Sequence, residues 1–479
     1  MIELKKLSVY PSLTPLCGYL LMFNRYAATY YLYFIIAFSV MVKLAIFLFL
    51  YHLKASFTLP DSPSYLDPAS TLINNHFSLL THGLWERTPG YPLIIAGIYK
   101  LFGSHHEAII LVQVVLSGLL IYNAYRITAL LSNTTAGVFA AAIVAIDYLL
   151  ISYSILIMTD LLFAIIFSYV FYYGCLTLKE SLRPNLLLLT GFFLALSTLI
   201  RPVSYYLIPV LALSLFIYSM KIQNKLIALR NSLLFLLPCI LLVGSWQYRN
   251  KQIYGTYQLT NIDAVNLYHY YAADVLAHVQ HQPISHVQKQ LAVKAEQRKF
   301  DTPVERYNYY RHEGAKILLS HPVLSIEQGL AGLLRTLFGN DYILLYYNQS
   351  QFLHGKQLEQ DLYHYNLSEF FYNASITDLF KMLMVAAFFL FNALLVLTTF
   401  YYIGYGLYRR PQQRQYMFLL LIIIGYFCVV SSNYCSLARF RMPFQIIIDS
   451  CGVLGLLQLR HLIHILRCRL FSKNNILAS

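Results

Sequence analysis

A carboxylate bracketed by prolines, Pro60-Asp61-Ser62-Pro63-Ser64-Tyr65, and an acid–base pair opening an apolar run, Trp85-Glu86-Arg87-Thr88-Pro89-Gly90-Tyr91-Pro92, are the residues here best placed for chemistry. Ser62 precedes a proline, a favoured first helical residue. Ser62 therefore reads as a helix N-cap with Asp61 just before it, where the positive end of the helix dipole favours an ionised carboxylate. Far along the chain, Arg439-Phe440-Arg441-Met442-Pro443 offers cations. Met442 is biased toward extended backbone by the proline after it. If the extended stretch reaches back to Arg439, the two arginines fall on one side. Their donor forks would then suit phosphate oxygens. Arg201, also before a proline, should end its helix and project toward the same region, while Met158-Thr159-Asp160 adds a second carboxylate.

These residues must be positioned by membrane-spanning elements. The chain has 479 residues, 58% hydrophobic and 12% charged, about half the charge of a soluble domain. Apolar segments near 28–53, 108–130, 134–155, 157–178, 186–200, 203–220, 231–248, 379–408, 416–432 and 444–460 are long enough to approach or cross a bilayer. Lipid leaves the backbone unsatisfied unless it is helical or a closed barrel, and continuous apolar runs favour helices. The expected fold is thus an all-α polytopic bundle of roughly ten or more transmembrane helices. Segments 89–103 and 329–347 are too short or too broken to place. Lys5, Lys6 and Arg25 precede a first span longer than a signal peptide's apolar region and lacking a cleavage site, so it reads as an uncleaved anchor.

The positive-inside rule sets orientation. With the N-terminus inside, the cytoplasmic segments hold sixteen lysines and arginines against two acids, Glu3 and Glu180, a balance equal to the whole net charge of +14. The basic excess is therefore a topology signal with weak attraction to anionic lipid, and not a nucleic-acid patch. Two insertions fall outside. One is the first outer loop, 54–107. The other, 249–378, is rich in Tyr and His and is expected to be a helical cap, because so long a structureless loop would be unusual. Within it Ile284, Val287, Leu291 and Ala295 recur at helical spacing, in a segment running on to His321-Pro322. The expected regions are 1–248 for the N-terminal membrane part, 249–378 for the cap, and 379–479 for the last spans with a basic tail. Of the seven cysteines only Cys435 lies clearly outside, and none has metal-ligand spacing.

Asp61, Asp160, Arg87, Arg201, Arg439 and Arg441 come from distant parts of the chain yet all map to one membrane face. Ionisable groups at that depth usually face a protein interior or a water-filled cavity. Each also has a plainer reading. Asp61 caps a helix, the arginines snorkel to headgroups, and Asp160 pairs with one of them. Asp147 and Asp449, deeper in their spans, read as structural partners. His269 reads as a packed or surface histidine before a ligand.

The set resembles the GT-C superfamily of membrane glycosyltransferases that use polyprenyl-phosphate sugars, which includes protein mannosyltransferases, the aminoarabinose transferase and lipopolysaccharide galacturonosyltransferases. The resemblance is carried by Asp61, Arg87-Thr88-Pro89-Gly90-Tyr91-Pro92, Thr159-Asp160, Arg201-Pro202, Trp246-Gln247-Tyr248-Arg249-Asn250 and Arg439-Phe440-Arg441-Met442-Pro443. Trp85-Glu86-Arg87 is similar to the Trp-x-Glu-Lys run of the aminoarabinose transferase, with arginine for lysine and one residue fewer. The resemblance implies a GT-C-like bundle with an extracytoplasmic cap. It also implies transfer of a sugar, with inversion, from a polyprenyl-phosphate donor to an envelope lipid, glycan or protein acceptor. Asp61 would be the base and Asp160 would orient an arginine or the acceptor. Arg87, Arg201, Arg439 and Arg441 would hold the donor phosphate, and Tyr65, Glu86 and His269 would line the substrate. No metal ligands are identified, the need for a divalent metal is left open without support, and the polyprenyl-phosphate-linked sugar is the donor. The expected location is the cytoplasmic (inner) membrane, with the site on the periplasmic face and both termini cytoplasmic. A transporter or flippase of lipid-linked sugars is the alternative, although no internal repeat of the kind transporters show is visible.

Overall fold

The first apolar segment forms helix α1 (Arg25–His52), with an outward surface of Tyr, Phe and Leu side chains that suits lipid. The computed structural model describes residues 25–80, 84–339, 376–432 and 437–476. Lys5, Lys6, Cys435 and the part of the expected cap from 340 to 375 lie outside the described residues.

The order continues with α2 (Pro63–Asn74), α3 (Gly90–Phe102), α4 (His106–Leu131), α5 (Thr134–Ile146), α6 (Tyr148–Ser154), α7 (Asp160–Lys179), α8 (Pro184–Ile200), α9 (Leu207–Ile222) and α10 (Lys225–Tyr254). The cap holds α11 (Ile262–Val265), a π-helical segment Asn266–Ala272, α12 (Ala273–Gln280), α13 (Ile284–Glu296), α14 (Pro303–Ser320) and α15 (Pro322–Phe338). The chain closes with α16 (Ile376–Arg409), α17 (Arg414–Ser431) and α18 (Met442–Ile476). Among the described residues there is no strand. Among the described residues, eight helices are long and apolar enough to cross a membrane, or up to ten if each of two bent pairs is one span.

The differences from the sequence expectation have local causes. The expected span 134–155 is broken into α5 and α6 with a 56° bend, because the Asp147 carboxylate accepts the Leu150 N–H at 2.9 Å and so starts a new helix. Segment 89–103, unplaced from sequence, is the helix α3 with Tyr91, Ile95 and Ala96 fully buried. The cap segment expected to run from Ile284 to His321 divides at 297–302. Thr302 restarts it by accepting the Glu305 N–H, and a 100° bend follows at His321-Pro322.

Helices α4, α7 and α18 are the most enclosed spans, whereas α1, α9, α10 and α16 sit outside them. Helices α8 and α10 approach so closely that a Cβ on Gly191 would lie 2.0 Å from the Phe235 carbonyl oxygen. Small residues allow such contact where lipid supplies no hydrophobic drive. The cap has a core of its own, built on Tyr268, Ala273, Val287, Leu291, Ala295 and Tyr309.

Candidate functional site

The first outer loop is pinned before it reaches α2. The Ile157 N–H donates to the Phe57 carbonyl at 2.9 Å, the Ser62 hydroxyl donates to the Ile157 carbonyl at 2.8 Å, and Ser62 accepts the Leu59 N–H at 2.8 Å. Ser62 thus staples the loop to the segment that leads into α7, and its side chain does not cap α2 as expected from the sequence. The staple fixes Asp61 relative to Asp160, which opens α7 three residues after Ile157.

Cations converge on Asp61 from three elements. Arg87, on the loop before α3, donates from Nη2 to Asp61 Oδ1 at 3.4 Å and from Nε to the Ser64 hydroxyl at 2.9 Å. Arg439, just before α18, donates from Nη2 to Asp61 Oδ2 at 3.0 Å. Arg201, with the extended backbone that its following proline favours, ends α8 and ion-pairs with Asp160. Arg201 and Arg439 both lie over the Phe440 ring, at 5.5 and 5.3 Å. The two pairs share that ring and form one cluster. Close approach makes the cluster possible. A Cβ on Gly90 would sit 2.6 Å from the Leu199 carbonyl oxygen, so a larger residue would push α3 away from the end of α8 that carries Arg201.

The two acids differ in access. The Asp61 side chain is 35% exposed and that of Asp160 is 0% exposed. Burial pushes the Asp61 carboxyl up, but the charges of Arg439, Arg87 and Arg201 outweigh it and hold the group below its ordinary value. Asp61 is therefore an ionised, partly exposed carboxylate with arginines on both oxygens. Asp160 has its second oxygen, Oδ2, buried without a hydrogen-bond partner.

The other expected residues are placed differently. Arg439 and Arg441 do not face one side. Residues Ala438–Arg441 form a 3₁₀ turn and Met442 is helical, so the extended run fails. Pro443 falls in the first turn of α18, where its missing N–H costs no hydrogen bond. Arg441 points beneath the cap, where Nη1 donates to the carbonyls of Thr336, Leu337 and Gly339 at 2.8, 2.9 and 2.9 Å. Tyr65 is buried, with Arg87 5.0 Å from its ring centre and Tyr91 edge-on at 5.3 Å. It backs Arg87 and offers no open face to a sugar. Glu86 is exposed beside the cap residue Tyr307. His269 packs edge-on against Tyr268 and Tyr310 in the π-helical segment, inside the cap. Burial there lowers its proton affinity.

Sequence reasoning missed Ser64, Phe440 and the support beneath Tyr65, in which Tyr91 donates to Gln113 at 2.8 Å and Gln113 donates to the Leu156 carbonyl at 2.8 Å. A glutamine in an apolar span was the available signal. The Trp246–Asn250 run is a joint. Trp246 and Asn250 donate to the Leu259 carbonyl at 3.0 and 3.1 Å, and Arg249 donates to the Leu79 carbonyl at 2.6 Å, tying α10 to the first outer loop. Among the described residues no group of three or more His, Cys, Asp or Glu side chains is arranged to hold a metal.

Comparison with known proteins finds one family model and several solved structures. The family model for dolichyl-phosphate-mannose-protein mannosyltransferase matches residues 86–246, a stretch that carries Arg87, Asp160 and Arg201. The oligosaccharyltransferase of Archaeoglobus fulgidus in its apo form superposes with a TM-score of 0.52 at 12% identity, covering 92% of this chain and 52% of that one. The same enzyme tethered to an acceptor peptide containing the NVT sequon gives 0.50 at 12% identity, covering 91% and 50%. ArnT from Cupriavidus metallidurans, solved with undecaprenyl phosphate, gives 0.39 at 11% identity, covering 88% and 77%. The chain spans about half the length of the oligosaccharyltransferase chains it matches. Comparison with curated proteins finds no match. The family match over residues 86–246 agrees with the resemblance read from the motifs, and the oligosaccharyltransferase structures share the all-helical membrane fold expected from the sequence.

Proposed function

We propose that the protein is an inverting glycosyltransferase that moves a hexosyl or pentosyl group from a polyprenyl-phosphate donor to an envelope acceptor, which is a lipid A or lipopolysaccharide, another glycan or a protein. The observation that carries this reading is the solvent-open Asp61 carboxylate bridged by Arg87 and Arg439 beside the Arg201–Asp160 pair. The acceptor oxygen bonds to the sugar C1 as the C1–O bond to phosphate breaks, and the bonding electrons leave with the phosphate. Guanidiniums fixed in advance stabilise that developing charge. The acceptor proton passes to Asp61.

Arg87 and Arg439 pair with the two oxygens of Asp61 and neutralise the base. A donor phosphate competes for Arg87 and Arg439, and its own negative charge raises the proton affinity of Asp61. The carboxylate thus becomes a better base only when the donor is bound. Asp160 acts through Arg201 by holding its guanidinium toward the cluster. The lipid tail lies between helices. The protein sits in the cytoplasmic membrane with this cluster on the extracytoplasmic face and both termini inside, a placement supported by the basic excess at the opposite ends of the spans.

Purified protein carrying Asp61→Asn, assayed with polyprenyl-phosphate sugars, tests the assignment. Transfer should fall roughly 10²–10⁴-fold while expression and donor binding survive, and full transfer by this variant would sink the assignment. Mass spectrometry of envelope lipids and proteins with and without the gene would then name donor and acceptor together.

A further inference from the structure

A second charged feature lies at the far ends of the helices that carry Asp160 and Arg201. Helix α7 has 20 residues and begins at Asp160, and α8 has 17 and ends next to Arg201. At the α-helical rise, their connecting loop is about 25–30 Å from the arginine cluster. There the loop and the start of α10 line an open groove of about 700 Å³ that includes Lys179, Glu180, Arg183, Gln223 and Arg230.

Three features point to an anion. The lining carries three cations against one carboxylate, an excess of +2. Glu180 is paired with Arg183 at 2.8 Å, while Arg230 donates to the neutral Asn231 side chain at 3.3 Å. Neither Lys179 nor Arg230 has an ion pair among the described residues. The groove also sits at the α8 N-terminus, where Arg183 provides no side-chain cap, so the positive end of the helix faces the same space. The loop is held in shape by the buried Leu182, whose N–H donates to the Thr177 carbonyl at 2.9 Å.

The surroundings distinguish a lipid from a free ion. Leu226, Leu229 and Leu233 on α10 are exposed at a spacing that puts them on one helix face. This apolar stripe flanks Arg230 and continues along α10 to Leu233. We infer that this groove binds the phosphoryl headgroup of an anionic phospholipid, with Lys179, Arg183 and Arg230 as its contacts and the acyl chains laid along the α10 stripe. Basic pockets between transmembrane helices on the cytoplasmic side hold such headgroups elsewhere. The assignment is independent of the glycosyl-transfer reading.

The test uses the full-length protein in detergent, titrated in turn with phosphatidylglycerol, phosphatidylcholine and inorganic phosphate, with bound lipid counted by native mass spectrometry and melting followed in parallel. Phosphatidylglycerol should bind and raise Tm where phosphatidylcholine does not. Each basic side chain removed in Lys179→Gln, Arg183→Gln and Arg230→Gln should weaken binding roughly fivefold. Glu180→Gln, which removes the competing carboxylate, should tighten it and guards against a variant that merely misfolds. Equal binding of the two lipids, equal protection by phosphate alone, or unchanged affinity in all four variants would each overturn the assignment.

Discussion

Arg439 and Arg441 stand two residues apart, yet they belong to clusters built in opposite ways. Arg439 reaches the partly exposed Asp61 alongside Arg87. Arg441, 1% exposed, fills the carbonyl end of α15 and bonds Gln445. Gln445 in turn donates to Asp147 at 3.1 Å and Asp449 at 2.8 Å, and Lys43 donates to Ser117 nearby in the bundle at 2.9 Å. Both clusters hold acids and arginines. The first leaves a carboxylate open to solvent on groups from separate loops. The second is sealed and uses its charges to lock the bent pair α5–α6, the cap helix α15 and α18 together. Charge in a membrane protein marks a site only where it remains reachable.

Neutralising one acid in each cluster should separate these roles most sharply. Asp61→Asn should lower transfer roughly 10²–10⁴-fold, the range of a lost general base. Asp449→Asn keeps a hydrogen-bonding group beside Gln445 and should leave the turnover rate close to that of the parent. Equal losses in the two variants, measured on purified and folded protein, would erase the distinction.

The next effect concerns cation geometry. Arg439→Lys retains charge but loses the planar fork, and transfer should fall roughly 10²-fold, the scale of a removed transition-state donor. Activity matching the parent would show that Arg439 only balances Asp61. Stability should respond in the reverse order. Arg441→Ala strands three carbonyls and the Gln445–aspartate network, and should cost roughly 3 kcal/mol or more in chemical or thermal unfolding. Asp61→Asn, at a partly exposed ion pair, should cost at most about 1 kcal/mol.

How much of this was legible in the sequence differs between the two clusters. The all-helical membrane architecture followed from apolar segment length, and Asp61, Arg87, Arg201 and Arg439 were visible as charges where lipid-facing helices do not carry them. The separation of Arg439 from Arg441 was not visible. It depends on a 3₁₀ turn at 438–441 and on the carbonyl end of α15, which comes from a part of the chain more than 100 residues away. The backbone bias before a proline was real as a tendency but yielded to helix formation at Met442. Likewise Ser62 had the right type for a cap, but its hydroxyl accepts the Leu59 N–H and donates to the Ile157 carbonyl instead. Tertiary partners chose between roles that local chemistry left equal.

The smallest effect is the one that tests how the open cluster works. The arginines lower the pKa of Asp61, below the ordinary aspartate value of about 3.9. A depressed carboxyl contributes stability that is present above its unfolded pKa and lost as pH falls through the folded value, so this ion-pair contribution should be constant near neutrality and fade only below about pH 4. The same sign governs activity. The pH profile of kcat/KM reports the free enzyme and that of kcat the donor complex. If the donor phosphate draws Arg87 and Arg439 away and adds negative charge beside Asp61, the acid limb of kcat should lie at higher pH than that of kcat/KM, by about one unit or more. Coincident limbs would mean that the arginines stay on Asp61 during turnover, and the exchange of partners would then be wrong even if Asp61 is the base.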